Sequence, residues 1–164
     1  MNGPLHNGLT AAVITAAGKS TRMGGAKKEL AVVDGTPVLK RAVSAFVGNG
    51  AFHTIVITFP PDGESSLRSV CDDVPIDIIW VPGGQTRQES VFNALSALTN
   101  LSPEYVLIHD AARPWVSQEL ITSVLQGTKD YGACIPVVPH VDAPKRIDSD
   151  GIILNHLERT TEVD

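Results

Sequence analysis

Residues 11–30 read AAVITAAGKSTRMGGAKKEL, and this stretch decides the predicted fold. It begins with an apolar run that contains the β-branched residues Val13, Ile14 and Thr15, which is typical of a buried strand. The run ends at Gly18, after which small, polar and basic residues follow. Backbone N–H groups of a glycine-containing loop can approach a ligand closely. We therefore predict a binding loop directly after the first strand.

The loop after the first strand is basic. Lys19, Arg22, Lys27 and Lys28 place four cations there against the single carboxylate of Glu29, although the whole chain has a net charge of −5. A basic glycine loop on an acidic protein indicates a site for a polyphosphate, because the local field attracts anions. The alternative is a solvated basic loop that binds nothing.

The loop matches neither of the two common phosphate-binding motifs. A P-loop requires an earlier glycine in G-x-x-x-x-G-K, and the first glycine here is Gly18, directly before Lys19. The Rossmann fingerprint G-x-G-x-x-G fails at Ser20, where its second glycine should stand. The sequence therefore favours neither an ATPase nor a dinucleotide-dependent dehydrogenase.

Length and composition limit the class of protein. A chain of 164 residues with 43% hydrophobic and 19% charged residues is typical of one globular domain. The acidic balance argues against nucleic-acid binding, and no apolar run approaches the roughly 20 residues of a membrane span. The first residues lack the pattern of a signal peptide, and two cysteines are too few for a disulfide framework. We therefore expect a cytoplasmic protein, in which Cys134 is a buried free thiol.

Strand and helix patterns alternate along the chain. Five strands are predicted, at 9–15, 53–59, 76–81, 105–109 and 133–138. Helices are predicted from Thr36 as cap and Pro37 as first residue, at 64–70, from Thr86 with an apolar stripe of Val91, Ala94, Leu95 and Leu98, and at 117–126. This alternation predicts an α/β fold with a parallel sheet covered on both faces. Ligands of such sheets bind at the carboxyl ends of the strands, so the segments after the first, third and fourth strands lie at the functional edge.

The second candidate segment reads PGGQTRQES at residues 82–90. Thr86 and Glu89 match a capping box, which predicts the start of a helix. Two glycines before a capped helix present N–H donors suited to an anion or a nucleobase edge. Arg87 and Ser90 lie three residues apart and share one helix face. The alternative is an ordinary connection between a strand and a helix.

The third candidate segment reads HDAARP at residues 109–114. Asp110 follows a buried strand, where a carboxylate is costly unless it meets a metal or a hydrogen-bond donor. Arg113 offers a planar guanidinium for a phosphate, although a structural Asp–Arg pair that closes the turn is the alternative. We expect His109 to be a packed histidine at the end of the strand and not an acid or base.

The alternation ends after Val138. A turn signal at 148–151 separates two short apolar segments, which predicts a hairpin that projects from the sheet. Its cations Lys145, Arg146 and Arg159 either meet an anionic substrate or are solvated. The histidines show no metal-ligand spacing, so no protein metal site is predicted.

Taken in this order, AAGKSTRMG with a following lysine, GGxxRxxSV and HDAARP make residues 9–159 strongly resemble the 2-C-methyl-D-erythritol 4-phosphate cytidylyltransferases. This family belongs to the GT-A-like nucleotidyltransferases. The resemblance implies a Rossmann-like three-layer α/β sandwich with a mostly parallel sheet, in one domain over 1–164 with a projecting β-arm over 139–159. It also implies transfer of CMP from CTP to 2-C-methyl-D-erythritol 4-phosphate with release of pyrophosphate, in non-mevalonate isoprenoid biosynthesis.

The resemblance implies roles for individual residues. Arg22 and Lys28 match the cations that stabilise the transition state, and Lys28 is chosen over Lys27 because it keeps the family's distance to the GTPV segment at 35–38. Arg159 matches an arm arginine that reaches the substrate of the neighbouring subunit, which implies a homodimer. Mg²⁺ would bridge the CTP phosphates with few protein ligands.

The nucleotide- and substrate-binding positions follow from the same resemblance. Gly84 and Ser90 match positions that read the cytosine, while Asp110 and Arg113 match positions beside the ribose and the acceptor phosphate. The full set implied is Ala16, Ala17, Gly18, Ser20, Gly84, Arg87, Ser90, Asp110, Ala111 and Arg113.

The chain departs from the family pattern in three places. Lys27-Lys28-Glu29 stands where the family has Pro-Lys-Gln, with one residue fewer after Arg22, and Ala143 replaces a substrate-binding threonine. The sequence also ends at Asp164, before the family's T-D-[DE] segment and its Lys-x-Thr-x-Pro lysine. Two alternatives follow: a cytidylyltransferase for another alditol phosphate such as ribitol 5-phosphate, or a truncated nucleotide-binding remnant without activity.

Overall fold

The computed structural model of the protein describes residues 8–18, 27–138 and 145–156. The chain divides into two compact units, Met1–Cys134 and Ile135–Asp164. The organisation as a single domain therefore stays a prediction, and the two units are described one after the other. None of the helices in the described ranges is long and apolar enough to cross a membrane.

The first unit alternates strands and helices, as predicted. Its described strands are β1 (Thr10–Thr15), β2 (Val32–Val33), β3 (Thr36–Pro37), β4 (Thr54–Phe59), β5 (Ile78–Pro82) and β6 (Tyr105–Asp110). Its described helices are a short 3-10 helix (Lys28–Leu30), α1 (Val38–Asn49), α2 (Glu64–Ser69), α3 (Arg87–Ala97) and α4 (Gln118–Tyr131). The ends of most elements differ from the predicted ones by one or two residues, whereas α4 continues past its predicted end at Gln126.

The main sheet has four parallel strands in the order β5-β4-β1-β6. β1 lies between β4 and β6, and its last residue, Thr15, pairs with Thr58 of β4 and with Asp110 of β6. Because all four strands run the same way, their carboxyl ends meet at one edge of the sheet. The predicted α/β fold with a mostly parallel sheet is confirmed, and the loops after β1, β5 and β6 share this edge.

Helices cover both faces of the sheet. Ala12 and Ile14 of β1 belong to one buried cluster, which also contains side chains of α1, α2 and α4. Ala11 and Val13, which point to the opposite face, belong to a second cluster with Ala94 of α3 and with Leu98. Burial of these apolar side chains on both faces supplies the main stabilisation of the sheet, and the predicted two-sided covering is confirmed. Leu95, predicted to join the α3 stripe, is 40% exposed instead.

The predicted start of α1 at Thr36 is wrong. Thr36 and Pro37 form β3, which pairs with β2 in an antiparallel hairpin, and the helix begins at Val38. Asp34 and Gly35 between the two strands have φ angles of 48° and 75°. Positive φ at both central residues is the signature of a type I′ hairpin turn, for which Asp-Gly is a preferred sequence. The Asp-Gly pair was therefore the signal that could have located this hairpin.

The predicted fifth strand at 133–138 is also wrong. These residues are exposed, and none of the strands within the described ranges pairs with them. An apolar run becomes a strand only where another strand satisfies its backbone hydrogen bonds. The prediction that Cys134 is buried fails for the same reason, because its thiol is exposed. Cys71 is the buried cysteine, and burial raises the pKa of its thiol to about 11.

The second unit contains the predicted hairpin. Its strands are β7 (Lys145–Ile147) and β8 (Ile153–His156), which pair antiparallel with an irregularity between Arg146 and Ile147. The Asp148 side chain accepts hydrogen bonds from the N–H groups of Asp150 and Ile152, and this closes the turn. Arg159, placed in the arm by the sequence, lies outside the described residues.

Candidate active site

A cleft of about 490 Å³ lies in the first unit, at the edge where β1, β5 and β6 end. Its lining brings the three candidate segments together: Thr15, Ala17, Gly18, Lys28, Glu29, Gly84, Gln85, Thr86, Arg87, Ser90, Asp110, Ala112 and Arg113. Among the predicted site residues, Ala16 and Ala111 are buried, and neither lines the cleft. Ser20 and Arg22 lie outside the described residues, so their predicted roles stay predictions.

The end of β1 is tied to β4. The N–H of Ala16 donates to the carbonyl oxygen of Thr58 (3.1 Å) and to its hydroxyl (3.3 Å). This amide is therefore occupied by the sheet and is not free to donate to a nucleotide. A Cβ placed at Gly18 would meet no atom of the described residues within 4 Å. Ala17 and Gly18 line the cleft and Ala16 does not, while the predicted backbone contacts of all three with a nucleotide stay predictions.

The two lysines that follow the glycine loop point to different places. Lys27 Nζ donates to the carbonyl oxygen of Asp62 at 3.0 Å, which fastens it to the loop after β4. Lys28 lines the cleft. The geometry thus agrees with the choice of Lys28 as the site lysine, while its role in the reaction stays a prediction.

The loop between β5 and α3 is held by side chains of the helix. The N–H of Gly84 donates to Ser90 Oγ at 3.0 Å, and that hydroxyl donates to the carbonyl oxygen of Thr86 at 3.0 Å. The predicted capping box is confirmed: Thr86 Oγ1 accepts from the N–H of Glu89, and the Glu89 carboxylate accepts from the N–H groups of Gln85 and Thr86. Ser90 is buried, and its hydroxyl holds this loop. Its role in recognising the cytosine stays a prediction.

Both glycines of this loop are required by close packing. A Cβ at Gly83 would overlap the Cβ of Ala17, which ties the loop to the end of β1. A Cβ at Gly84 would overlap the Cβ of Glu89 in the first turn of α3. The loop therefore packs between the end of β1 and the first turn of α3, and close packing at both places requires glycine.

Asp110 lies at the centre of the cationic side of the cleft. Its Oδ1 accepts from Nε (3.2 Å) and Nη2 (3.0 Å) of Arg87 and from Thr15 Oγ1 (3.3 Å). Its Oδ2 faces Arg113 Nε at 3.3 Å. Partial burial raises the pKa of Asp110, but the hydrogen bonds and charge of Arg87, with Thr15 and Arg113, lower it by more, so the net pKa lies below its usual value. The carboxylate is therefore ionised at neutral pH.

His109 is packed, as predicted. Its Nε2 lies 2.9 Å from the carbonyl oxygen of Arg113, which means that Nε2 carries the hydrogen, and its ring packs against Phe46 with 5.3 Å between ring centroids. Burial lowers the pKa of His109 below its ordinary value of 6.5, against smaller opposing effects of the hydrogen bond to Arg113 and the charge of Asp110. The neutral ring thus holds the turn from Asp110 to Arg113.

Most of the sequence matches a known family. A profile described as IspD, 2-C-methyl-D-erythritol 4-phosphate cytidylyltransferase, matches residues 10–162. The chain belongs to this family. It is 42% identical over 147 residues to the 2-C-methyl-D-erythritol 4-phosphate cytidylyltransferase of Streptomyces coelicolor, an alignment that covers 85% of this chain and 53% of that relative.

Solved structures agree with this family assignment. The 4-diphosphocytidyl-2C-methyl-D-erythritol synthase of Anaerococcus prevotii is similar with a TM-score of 0.75 at 26% identity, over 93% of this chain and 66% of the other. The 2-C-methyl-D-erythritol 4-phosphate cytidylyltransferase of Thermus thermophilus gives 0.68 at 27% identity, over 92% and 64%. The chain spans about half the length of the curated Streptomyces relatives it matches, 53% and 58%.

In this member of the cytidylyltransferase family, sequence reasoning missed several residues of the cleft. Thr15 and Gln85 line it, as does Glu29, which is buried beside Lys28. The contact of Thr15 with Asp110 depends on the pairing of β1 with β6, which no local sequence pattern shows. The sequence analysis noted Glu29 as a carboxylate where the family pattern has a glutamine, but did not place it at the site.

We expect Gly83→Ala and Gly18→Ala to differ in their effects on stability. Gly83→Ala should lower the free energy of unfolding by about 1–3 kcal/mol, because the added methyl overlaps Ala17. Gly18→Ala should change it by less than about 0.5 kcal/mol, because a Cβ at Gly18 meets no atom of the described residues within 4 Å. Denaturant unfolding of the two variants measures the difference. Equal losses of stability would contradict the packing described for these loops.

The low pKa of His109 predicts a pH dependence of stability. The unfolded chain binds a proton at His109 as the pH falls through about 6.5, whereas the buried ring stays neutral until the pH is lower. Stability that is present above pH 6.5 is therefore lost below it. His109→Gln, which keeps a donor for Arg113, should reduce the fall in Tm between pH 7 and pH 5. An unchanged dependence on pH would show that the ring is protonated in the folded protein.

Proposed function

We propose that the protein is a nucleotidyltransferase that transfers CMP from CTP to 2-C-methyl-D-erythritol 4-phosphate and releases pyrophosphate. The observation that carries this proposal is that one cleft brings together the glycine loop with Lys28, the capped loop before α3 and the Asp110–Arg113 turn. These are the segments whose sequences resemble the family, and the relatives and solved structures named above carry this activity in their names.

The chemistry suits such a cleft. A phosphate oxygen of the acceptor attacks the α-phosphorus of CTP, a new P–O bond forms, and the bond from that phosphorus to the β-phosphate oxygen breaks as pyrophosphate leaves. This reaction depends on positioning and charge stabilisation more than on covalent help from the protein. Lys28, Arg87 and Arg113 supply cations along the cleft. The family resemblance assigns Lys28, together with Arg22, to the transferring phosphoryl group.

We also propose Mg²⁺ as the metal of the reaction, carried by the nucleotide phosphates, whose negative charge it would neutralise. The described residues fit this arrangement. None of the described side chains forms a group of three or more potential metal ligands, and both oxygens of Asp110 already face arginines. The protein would therefore bind the phosphates with its cations, while phosphate and water oxygens complete the magnesium shell.

The direct test is pyrophosphate release from the purified chain with CTP, Mg²⁺ and 2-C-methyl-D-erythritol 4-phosphate. ATP in place of CTP and ribitol 5-phosphate in place of the acceptor serve as controls. Turnover with the first pair alone supports the proposal. Equal rates with ribitol 5-phosphate would contradict the choice of acceptor, and CTP binding without any product would favour the remnant without activity.

Within this assay, Lys28→Ala should lower kcat by about 100-fold, as removal of one transition-state donor does in other enzymes. Lys27→Ala is the matched control, because Lys27 is bonded to the Asp62 carbonyl and does not line the cleft. It should leave kcat within about twofold, since surface changes away from a site have small effects. Equal losses of kcat in the two variants would contradict the assignment of Lys28, and not Lys27, to the site.

We propose a homodimer in the cytoplasm as the working form. The match of Arg159 to an arginine that serves a neighbouring subunit supports the dimer, and the charged substrates, which do not cross a bilayer unaided, support the location. Sedimentation velocity should show a dimer at assay concentrations, and Arg159→Ala should lower turnover without dissociating it. A strictly monomeric chain that turns over at the full rate would contradict this assignment of Arg159.

A further inference from the structure

Arg87 points its donors at a protein group and not at open space in the cleft. Both Nε and Nη2 lie within 3.2 Å of the same oxygen, Oδ1 of Asp110. The backbone of Arg87 is fixed because it opens α3, directly after the Thr86–Glu89 capping box. The edge of the guanidinium that carries these two donors is thus already used, and it is not available to a nucleotide phosphate.

Asp110 also contacts Arg113, through its second carboxylate oxygen and through its backbone carbonyl. Its second oxygen faces Arg113 Nε, and the N–H of Arg113 donates to the carbonyl oxygen of Asp110 at 3.0 Å. The Nε2–H group of His109 donates a hydrogen bond to the carbonyl oxygen of Arg113. The direction of the Arg113 side chain, which is 78% exposed, therefore depends on where the Asp110 carboxylate lies.

One carboxylate between two guanidiniums also sets the local charge. The three groups together carry one net positive charge, and two of the three are more than half exposed. Exposed ion pairs of this kind add little to the free energy of unfolding. These ion pairs fix the positions of the Asp110 carboxylate and of the two guanidinium groups. We therefore expect their loss to change substrate binding more than the free energy of unfolding.

We infer that Arg87 is a positioning residue for the acceptor phosphate: it holds Asp110, and through Asp110 it directs Arg113 toward the acceptor. This inference rests on the proposed function. It differs from the direct contact with the nucleotide that sequence resemblance implies for Arg87. It also makes α3, whose first turn holds the loop of Gly83 and Gly84, a physical link between that loop and the turn from Asp110 to Arg113.

A double-mutant cycle distinguishes the two roles. Arg87→Gln should raise KM for the acceptor by about tenfold, equivalent to about 1.4 kcal/mol, and leave the calorimetric Kd for CTP within about twofold. In the Asp110→Asn background the same substitution should add less than about twofold to KM, because the group through which it acts is gone. Arg87→Lys, which keeps the charge and one donor, should restore part of the loss.

Arg68→Gln is the matched control, because Arg68 pairs with Glu64 on α2 and does not line the cleft. It should leave KM for the acceptor unchanged. A tenfold loss of CTP affinity in Arg87→Gln, or an undiminished effect in the Asp110→Asn background, would overturn the inference and assign Arg87 to the nucleotide.

A spectroscopic readout keeps this test independent of turnover. A carbon NMR titration of the Asp110 carboxyl group in the full chain should move to higher pH in Arg87→Gln, because the hydrogen bonds that hold its pKa down are lost. If the wild-type chain shows no turnover, the proposed function fails, while this shift still reports on the Arg87–Asp110 link. An unchanged titration would overturn the inference whatever the enzyme assay shows.

Discussion

The parallel pairing of β1 with both β4 and β6 is the constraint on which the site depends. It brings the last residue of β1, Thr15, level with Thr58 on one side and Asp110 on the other. The loops that follow three strands therefore leave the sheet at one edge, although they are far apart in sequence. Parallel strands of this kind need covering on both faces, and the two apolar clusters provide it.

The charge of the cleft results from the side chains that meet at this edge of the sheet. The chain is acidic overall, yet the described cleft collects Lys28, Arg87 and Arg113, with Asp110 between the two arginines. The Asp110 carboxylate accepts from Arg87 and faces Arg113, and these contacts fix the directions of both guanidinium groups. Such a preorganised arrangement suits a reaction in which charge moves along a chain of phosphates, since little reorganisation accompanies the transfer.

Local sequence patterns predicted those parts of the structure that local physics decides. The strand at Val13 and the capping box at Thr86 rest on short-range rules, and the structure agrees with the placement of both. The choice of Lys28 came from the family resemblance, and Lys28 lines the cleft. The failed prediction at Cys134 concerns contacts between distant parts of the chain, because an apolar neighbourhood in sequence does not show whether another strand covers it. The failed start of α1 instead missed a local signal, the Asp34-Gly35 turn.

The contacts between the β2–β3 hairpin and α1 bear on how the length of the basic loop after β1 can vary. The N–H of Val38 donates to the carbonyl oxygen of Ala31, and Arg41 of α1 binds the carbonyl oxygen of Val33, so the segment that carries Lys28 is anchored to α1. An insertion or deletion ahead of the lysine leaves this anchor in place. Insertions or deletions ahead of Lys28 can therefore change the length of the basic loop while the lysine stays in the lining of the cleft.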